Sequence, residues 1–140
     1  MYEIREVKHI GVSIRAPWKA VYEYLSDPRN FPQWASGLCK SILQESEEEW
    51  IIEAPQGKLK AVFTKKNEYG IIDHTVIFPS GEKIHNPMRI LPNAFGSEVL
   101  FSLFKTPKME NAKFEEDANW VIKDLNELKN LMEKKFGSKS

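Results

Sequence analysis

The sequence predicts an α+β fold: a curved seven-stranded antiparallel sheet wrapped around one long C-terminal helix, with two short helices between strands one and two. Three observations carry this. Short alternating segments separated by turn residues fill the chain from Leu38 to about Lys105, and such short spacings favour hairpins. A helix start, a helix stop and a second helix start are packed into residues 17–37. The last element is a single amphipathic stripe.

Glu3 to Arg15 reads as the first strand, where Lys8, Ile10, Val12 and Ile14 carry more apolar mass than the alternate row. Pro17 suits the first turn of a helix, because its missing N–H costs nothing there. Ala20, Val21, Tyr24 and Leu25 then recur at helical spacing. Ser26-Asp27-Pro28 stops that helix, and Asp27 is placed to cap the next one, with Pro28 at its first position. The second helix ends near Trp34 and Gly37. Six further strands follow: Leu38–Gln44, Trp50–Ala54, Leu59–Lys65, Gly70–Phe78, Lys83–Leu91 and Ser97–Phe104. Runs such as Pro55-Gln56-Gly57 and Pro79-Ser80-Gly81 break them. In the final helix Phe114, Ala118, Val121, Leu125, Leu128 and Met132 alternate spacings of four and three.

With 140 residues the chain fits one domain spanning residues 1–140, with Gly137 to Ser140 as a frayed tail. Hydrophobic residues make up 41% and charged residues 29%, which argues against disorder. Twenty basic residues balance 20 acidic ones, so no net field favours nucleic acid or an anionic membrane. Cys39 is the only cysteine; it excludes an internal disulfide, argues against a cysteine metal site and suits the cytoplasm. No signal peptide is expected, and no apolar stretch reaches the length of a membrane span. These features predict a cytoplasmic monomer or weak homodimer with no nucleic-acid partner and no stable membrane association.

The segment VYEYLSDPRNFPQW, residues 21–34, resembles the signature of the START-like helix-grip superfamily, also written SRPBCC. That group includes polyketide cyclases and dehydratases, birch-pollen-allergen relatives and lipid-transfer domains. The segments DHTV (73–76), NPMRILPN (86–93) and SEVLFSLF (97–104) resemble its small bacterial members of unassigned function. The resemblance implies a deep apolar cavity between the sheet and the C-terminal helix, with no metal and no bound redox cofactor. It is poorly specific for function, because one scaffold serves ligand carriers, cyclases and chaperone cofactors.

Hairpin registers assign residues to faces. A three-residue loop at Pro79-Ser80-Gly81, with glycine in the left-handed position, pairs His74 with Asn86 and Val76 with Ile84. An Arg89–Glu98 pairing in the next hairpin places Met88 opposite Val99 and Asn86 opposite Phe101. The predicted inner face then holds Ile72, His74, Val76, Ile84, Asn86, Met88, Val99, Phe101 and Leu103. Asp73, Thr75, His85, Arg89, Glu98 and Ser102 fall on the outer face, with Arg89 and Glu98 as an exposed charge pair. Trp50 and Ile52 share one face of their strand, and Leu59, Ala61 and Phe63 share one face of the next. Together with Trp34, Phe114, Ala118 and Val121, these inner residues are the candidate ligand contacts.

His74 and Asn86 are the polar groups on that apolar wall. They bond each other, a ligand or trapped water, since burial without a partner costs about 1–3 kcal/mol. Trp34 either closes the cavity mouth or plugs the core. Asp117 reads as a solvated helix carboxylate, Trp120 as an edge residue off the stripe, and Cys39 as a small core residue. Metal chemistry has no support: His9, His74 and His85 lack ligand spacing. No G-x-S-x-G, Walker-type or G-x-G-x-x-G motif is present.

Two functions follow. One is binding of a small hydrophobic or aromatic ligand, lipid- or polyketide-like. The other is a cyclase, aromatase or dehydratase in the same cavity, with His74 as its only catalytic candidate and Asn86 holding a carbonyl or enolate oxygen. A protein-interaction role comes last, because no exposed apolar stripe lies beyond the helix seam. A cavity of several hundred Å³ supports a ligand role. One filled by Trp34, Phe63, Phe101 and Phe114 removes both leading functions.

Overall fold

A computed structural model describes residues 2–35 and 39–137. The elements are β1 (Val7–Ile14), α1 (Trp18–Leu25), a 3-10 turn (Pro28–Asn30), α2 (Phe31–Trp34), β2 (Ser41–Gln44), β3 (Glu49–Ala54), β4 (Gly57–Phe63), β5 (His74–Ile77), β6 (Lys83–Asn86), β7 (Met88–Asn93), β8 (Gly96–Phe104) and α3 (Asn111–Phe136). The expected strand start at Leu38 and helix end near Gly37 lie outside the described residues, as does the expected tail at Ser138 to Ser140.

Among the described residues the expected seven-stranded sheet is corrected to two sheets with eight strands. Three strands run in the order β1-β8-β7 and five in the order β2-β3-β4-β5-β6, all antiparallel. The cause is Pro87, in the middle of the expected Lys83–Leu91 strand. It has no N–H for a ladder, so the strand breaks and the chain crosses from one sheet to the other. The gap is tied elsewhere. Ile72 N–H donates to the Met88 carbonyl (3.0 Å) and Ile90 N–H to the Gly70 carbonyl (2.9 Å). Gly70 has φ +73°, and a Cβ there would lie 2.3 Å from the Ile90 oxygen, so only glycine allows this approach.

The first predicted hairpin register holds: His74 faces Asn86, Val76 faces Ile84, and Gly81 sits at φ +92°. The second is off by two residues, with Met88 opposite Phe101 and Leu91 opposite Glu98. Its turn uses only Ala94 and Phe95, with Ala94 at φ 51°, so Pro92 and Asn93 stay in the strand. A two-residue slip preserves faces, and the inner and outer assignments survive it.

Asp27 caps the 3-10 turn as its carboxylate accepts the Arg29 N–H at 3.0 Å. Helix α3, 26 residues and about 39 Å long, buries its whole predicted stripe from Phe114 to Met132. It follows β1 along its length: Lys8 pairs with Glu115, Lys129 Nζ donates to the Ser13 carbonyl (2.7 Å), and Arg15 N–H donates to Glu133 (2.8 Å). No helix among the described residues is long and apolar enough to cross a membrane.

Candidate functional site

His74 opens β5 and points into the interior, 6% exposed. It stacks on Phe63, with ring centroids 5.3 Å apart and planes 25° apart, and Phe31 meets it edge-on at 5.7 Å. Asn86 Nδ2–H donates to His74 Nε2 at 3.3 Å, across the predicted pair. The backbone hydrogen bond to Ile72 then falls to the other ring nitrogen, which makes Nδ1–H the donor. Burial, reinforced by the charge of His85, pushes the imidazole down to about 4. His74 is therefore a neutral, hydrogen-bonded side chain at neutral pH.

The aromatic box around it is built by the α1–α2 unit. Phe31 packs on Trp34 (5.1 Å) and on Phe63 (6.1 Å), and Phe63 meets Trp50 edge-on (6.5 Å). These rings leave a void of about 10 Å³ against His74, with room for one water. The expected cavity of several hundred Å³ is thus absent at this end, because Trp34 and Phe31 plug it. Phe31 was missed in the sequence reading, although it lies one helical turn before Trp34 in the same segment.

The remaining predicted contacts separate into two groups. Ile52, Leu59, Ala61 and Met88 are buried in the wall, none more than 7% exposed. Phe114 and Ala118 form a second cluster with Leu103, against which Ile10, Phe101 and Met109 pack. Val121 joins the main core with Leu125 and Leu128. Val76, Ile84 and Asn86 point inward by register and are half-buried, and the half-buried Phe101 packs against both clusters. Larger grooves of about 610 and 690 Å³ lie beside the Ala94–Phe95 turn and between α1 and residues 66–68. Both are open surface features lined by none of the box residues.

Two charged residues stand out. Arg89 does not pair with Glu98. Its Nη2 donates to Asp73 Oδ2 (2.9 Å), while Glu98 accepts hydrogen bonds from Ser13 and Asn93. Asp73 Oδ1 also accepts the Met88 N–H (2.8 Å), so this carboxylate splints the chain just past the Pro87 break. The second is Asp124, 6% exposed on α3, where burial pushes its carboxyl up to about 6. It lies three residues after Val121 and four before Leu128, a spacing that places it beside the stripe. Asp117 is bridged to Lys113 at 2.9 Å, Trp120 is half-exposed, and Cys39 is buried with its thiol pushed up to about 11. No cluster of three potential metal ligands occurs among the described residues.

No family model and no curated protein sequence matches the chain. Solved structures do. A START superfamily protein from Mycobacterium smegmatis superposes with a TM-score of 0.73 at 14% identity, over 91% of this chain and 97% of that one. The Aha1 dimer from Colwellia psychrerythraea matches with a TM-score of 0.71 at 13% identity, over 91% and 96%. DynU16, from the dynemicin biosynthetic locus, matches with a TM-score of 0.72 at 14% identity, over 96% of this chain and 49% of that one. At these identities the likeness defines the fold. The chain has the START-like helix-grip fold.

Proposed function

We propose that the chain binds a small hydrophobic or aromatic molecule against the half-buried inner face of the sheets, toward the N-terminal half of α3. The observation that carries this reading is the half-buried row Val76, Ile84, Asn86 and Phe101. These residues point inward, are mostly apolar and keep part of their surface exposed, with Phe101 lying against the Phe114–Ala118 cluster of α3. Covering them with a ligand removes apolar surface from water at about 25 cal/mol per Å². Asn86 supplies the polar handle: its Nδ2 is engaged by His74, which fixes the amide and leaves its oxygen to face a ligand donor.

Catalysis is the weaker reading for a chemical reason. A cyclase or dehydratase base needs a free lone pair near its working pH. The Nε2 lone pair of His74 is taken by Asn86, and its pKa is near 4. Few other polar groups converge on the inner face.

The reading is tested by titrating the chain with the fluorescent apolar probe 1-anilinonaphthalene-8-sulfonate, in parallel with an Ala118→Trp variant. Ala118 is 4% exposed in the cluster against which Phe101 packs, so an indole there adds bulk beside Phe101. Saturable binding by the wild type, weakened at least about tenfold in a folded Ala118→Trp variant, is expected. Equal binding by the two proteins would place the ligand elsewhere.

A further inference from the structure

Among the described residues β1 is the outer strand of the three-stranded sheet. Val7 lies opposite Phe104, so Glu6 opposes Lys105, and the Lys105 N–H donates to the Glu6 carbonyl at 2.9 Å. The even residues of β1 therefore bond β8, and the odd residues turn their N–H and C=O to the other side. Helix α3 caps that outward edge at its C-terminal end, where Lys129 Nζ donates to the Ser13 carbonyl and Glu133 accepts the Arg15 N–H. Toward the N-terminus the strand opens to solvent, with His9 and Gly11 exposed. An exposed strand edge is a template for another strand.

Exposed apolar side chains flank the same edge. Tyr2 and Ile4, in the arm before β1, are 97% and 91% exposed. Ile122 is exposed as well. It lies about two helical turns before Lys129, on the side of α3 that reaches the β1 edge.

A second copy pairing along this edge runs antiparallel about a twofold axis, odd residues facing odd ones. Charge selects the register. An axis at Glu6 sets two carboxylates directly opposite each other, and an axis at Lys8 does the same to two ammonium groups; like charges so placed repel. An axis at His9 brings Arg5 against Ser13, whose carbonyl α3 already holds. An axis at Val7 sets Glu6 opposite the partner's Lys8, twice by symmetry. It also lays Ile4 against the partner's half-buried Ile10, and Tyr2 against its half-buried Val12, toward Ile122. That register ends with Glu3 opposite Gly11 and leaves Ser13 and Arg15 to α3.

We infer that two copies of this chain join edge to edge along β1 with the twofold axis at Val7, so that their three-stranded sheets become one continuous sheet. The partner is the chain itself, and the exposed arm of each copy is the strand that covers the other.

Sedimentation velocity of the full chain between about 5 and 500 µM tests this, and the mass is expected to rise toward twice that of one chain. Val7→Pro removes an outward N–H at the axis and spares the ladder to β8, so dimerisation should weaken at least about tenfold. Glu6→Lys places like charges opposite each other at two symmetric positions and should weaken it by about tenfold, and adding Lys8→Glu should restore it. A single-chain mass at every concentration would overturn the inference. So would a dimer that Glu6→Lys leaves as tight as the wild type, because its contact would lie elsewhere.

Discussion

Acid should destabilise this fold through His74. An imidazole freed by unfolding takes up its proton near 6.5, whereas the buried ring resists it until about 4. Between those values the unfolded chain binds more protons than the folded one, so stability falls as pH drops. Above 6.5 the contribution is flat, and below about 4 the loss is complete. The span corresponds to about 3 kcal/mol, a large share of the stability of a domain this size. The assay is urea unfolding between pH 7.5 and 4 for the wild type and for His74→Gln, which retains a group able to bond Asn86. Subtracting the two curves removes every other titrating residue. The difference should change by about 3 kcal/mol in the sense that the variant gains on the wild type as pH falls. Parallel curves would refute the burial argument, as would an NMR titration placing His74 near its ordinary value.

Three further outcomes are expected. Asp124 acts with the opposite sign, because its folded carboxyl binds a proton near 6 and the unfolded one near 3.8. Asp124→Asn should therefore be more stable than wild type at pH 7.5 by about 1–2 kcal/mol, an advantage that vanishes below pH 4; urea midpoints across that range decide it. Asp73→Ala should cost about 2–3 kcal/mol, since it orphans the Met88 N–H as well as Arg89. Arg89→Ala, which removes a half-exposed partner only, should cost about 1 kcal/mol or less in the same assay.

The face assignments were legible because strand periodicity is strict: a register error of two residues in the second hairpin left His74, Asn86 and Phe101 on the inner wall. The helix stripe was legible for the same reason, each apolar side chain repeating a fixed rotation. What failed were features set by single backbone groups or by partners distant in sequence. Pro87 lacks one N–H, and that alone divides the sheet. The pairing of Arg89 with Asp73 links residues 16 apart, and the Asp73 carboxylate then serves the strand beyond the break. Asp124 carried a signal in its spacing from Val121 and Leu128, but an acid in a helix ordinarily faces water. The plug at Phe31 and Trp34 depends on how α2 packs against β4, which no local pattern encodes. Local periodicity thus located the candidate wall, and long-range packing decided how much of it stays open.

The central claim is that the half-buried inner face holds a small apolar molecule. Native mass spectrometry of the chain purified from its own host tests it most directly, run beside Ala118→Trp. The wild type should carry a non-covalent adduct that gentle activation releases, and the variant should fly bare. Bare protein in both samples, with an added excess of small aromatics still failing to bind, would contradict the account.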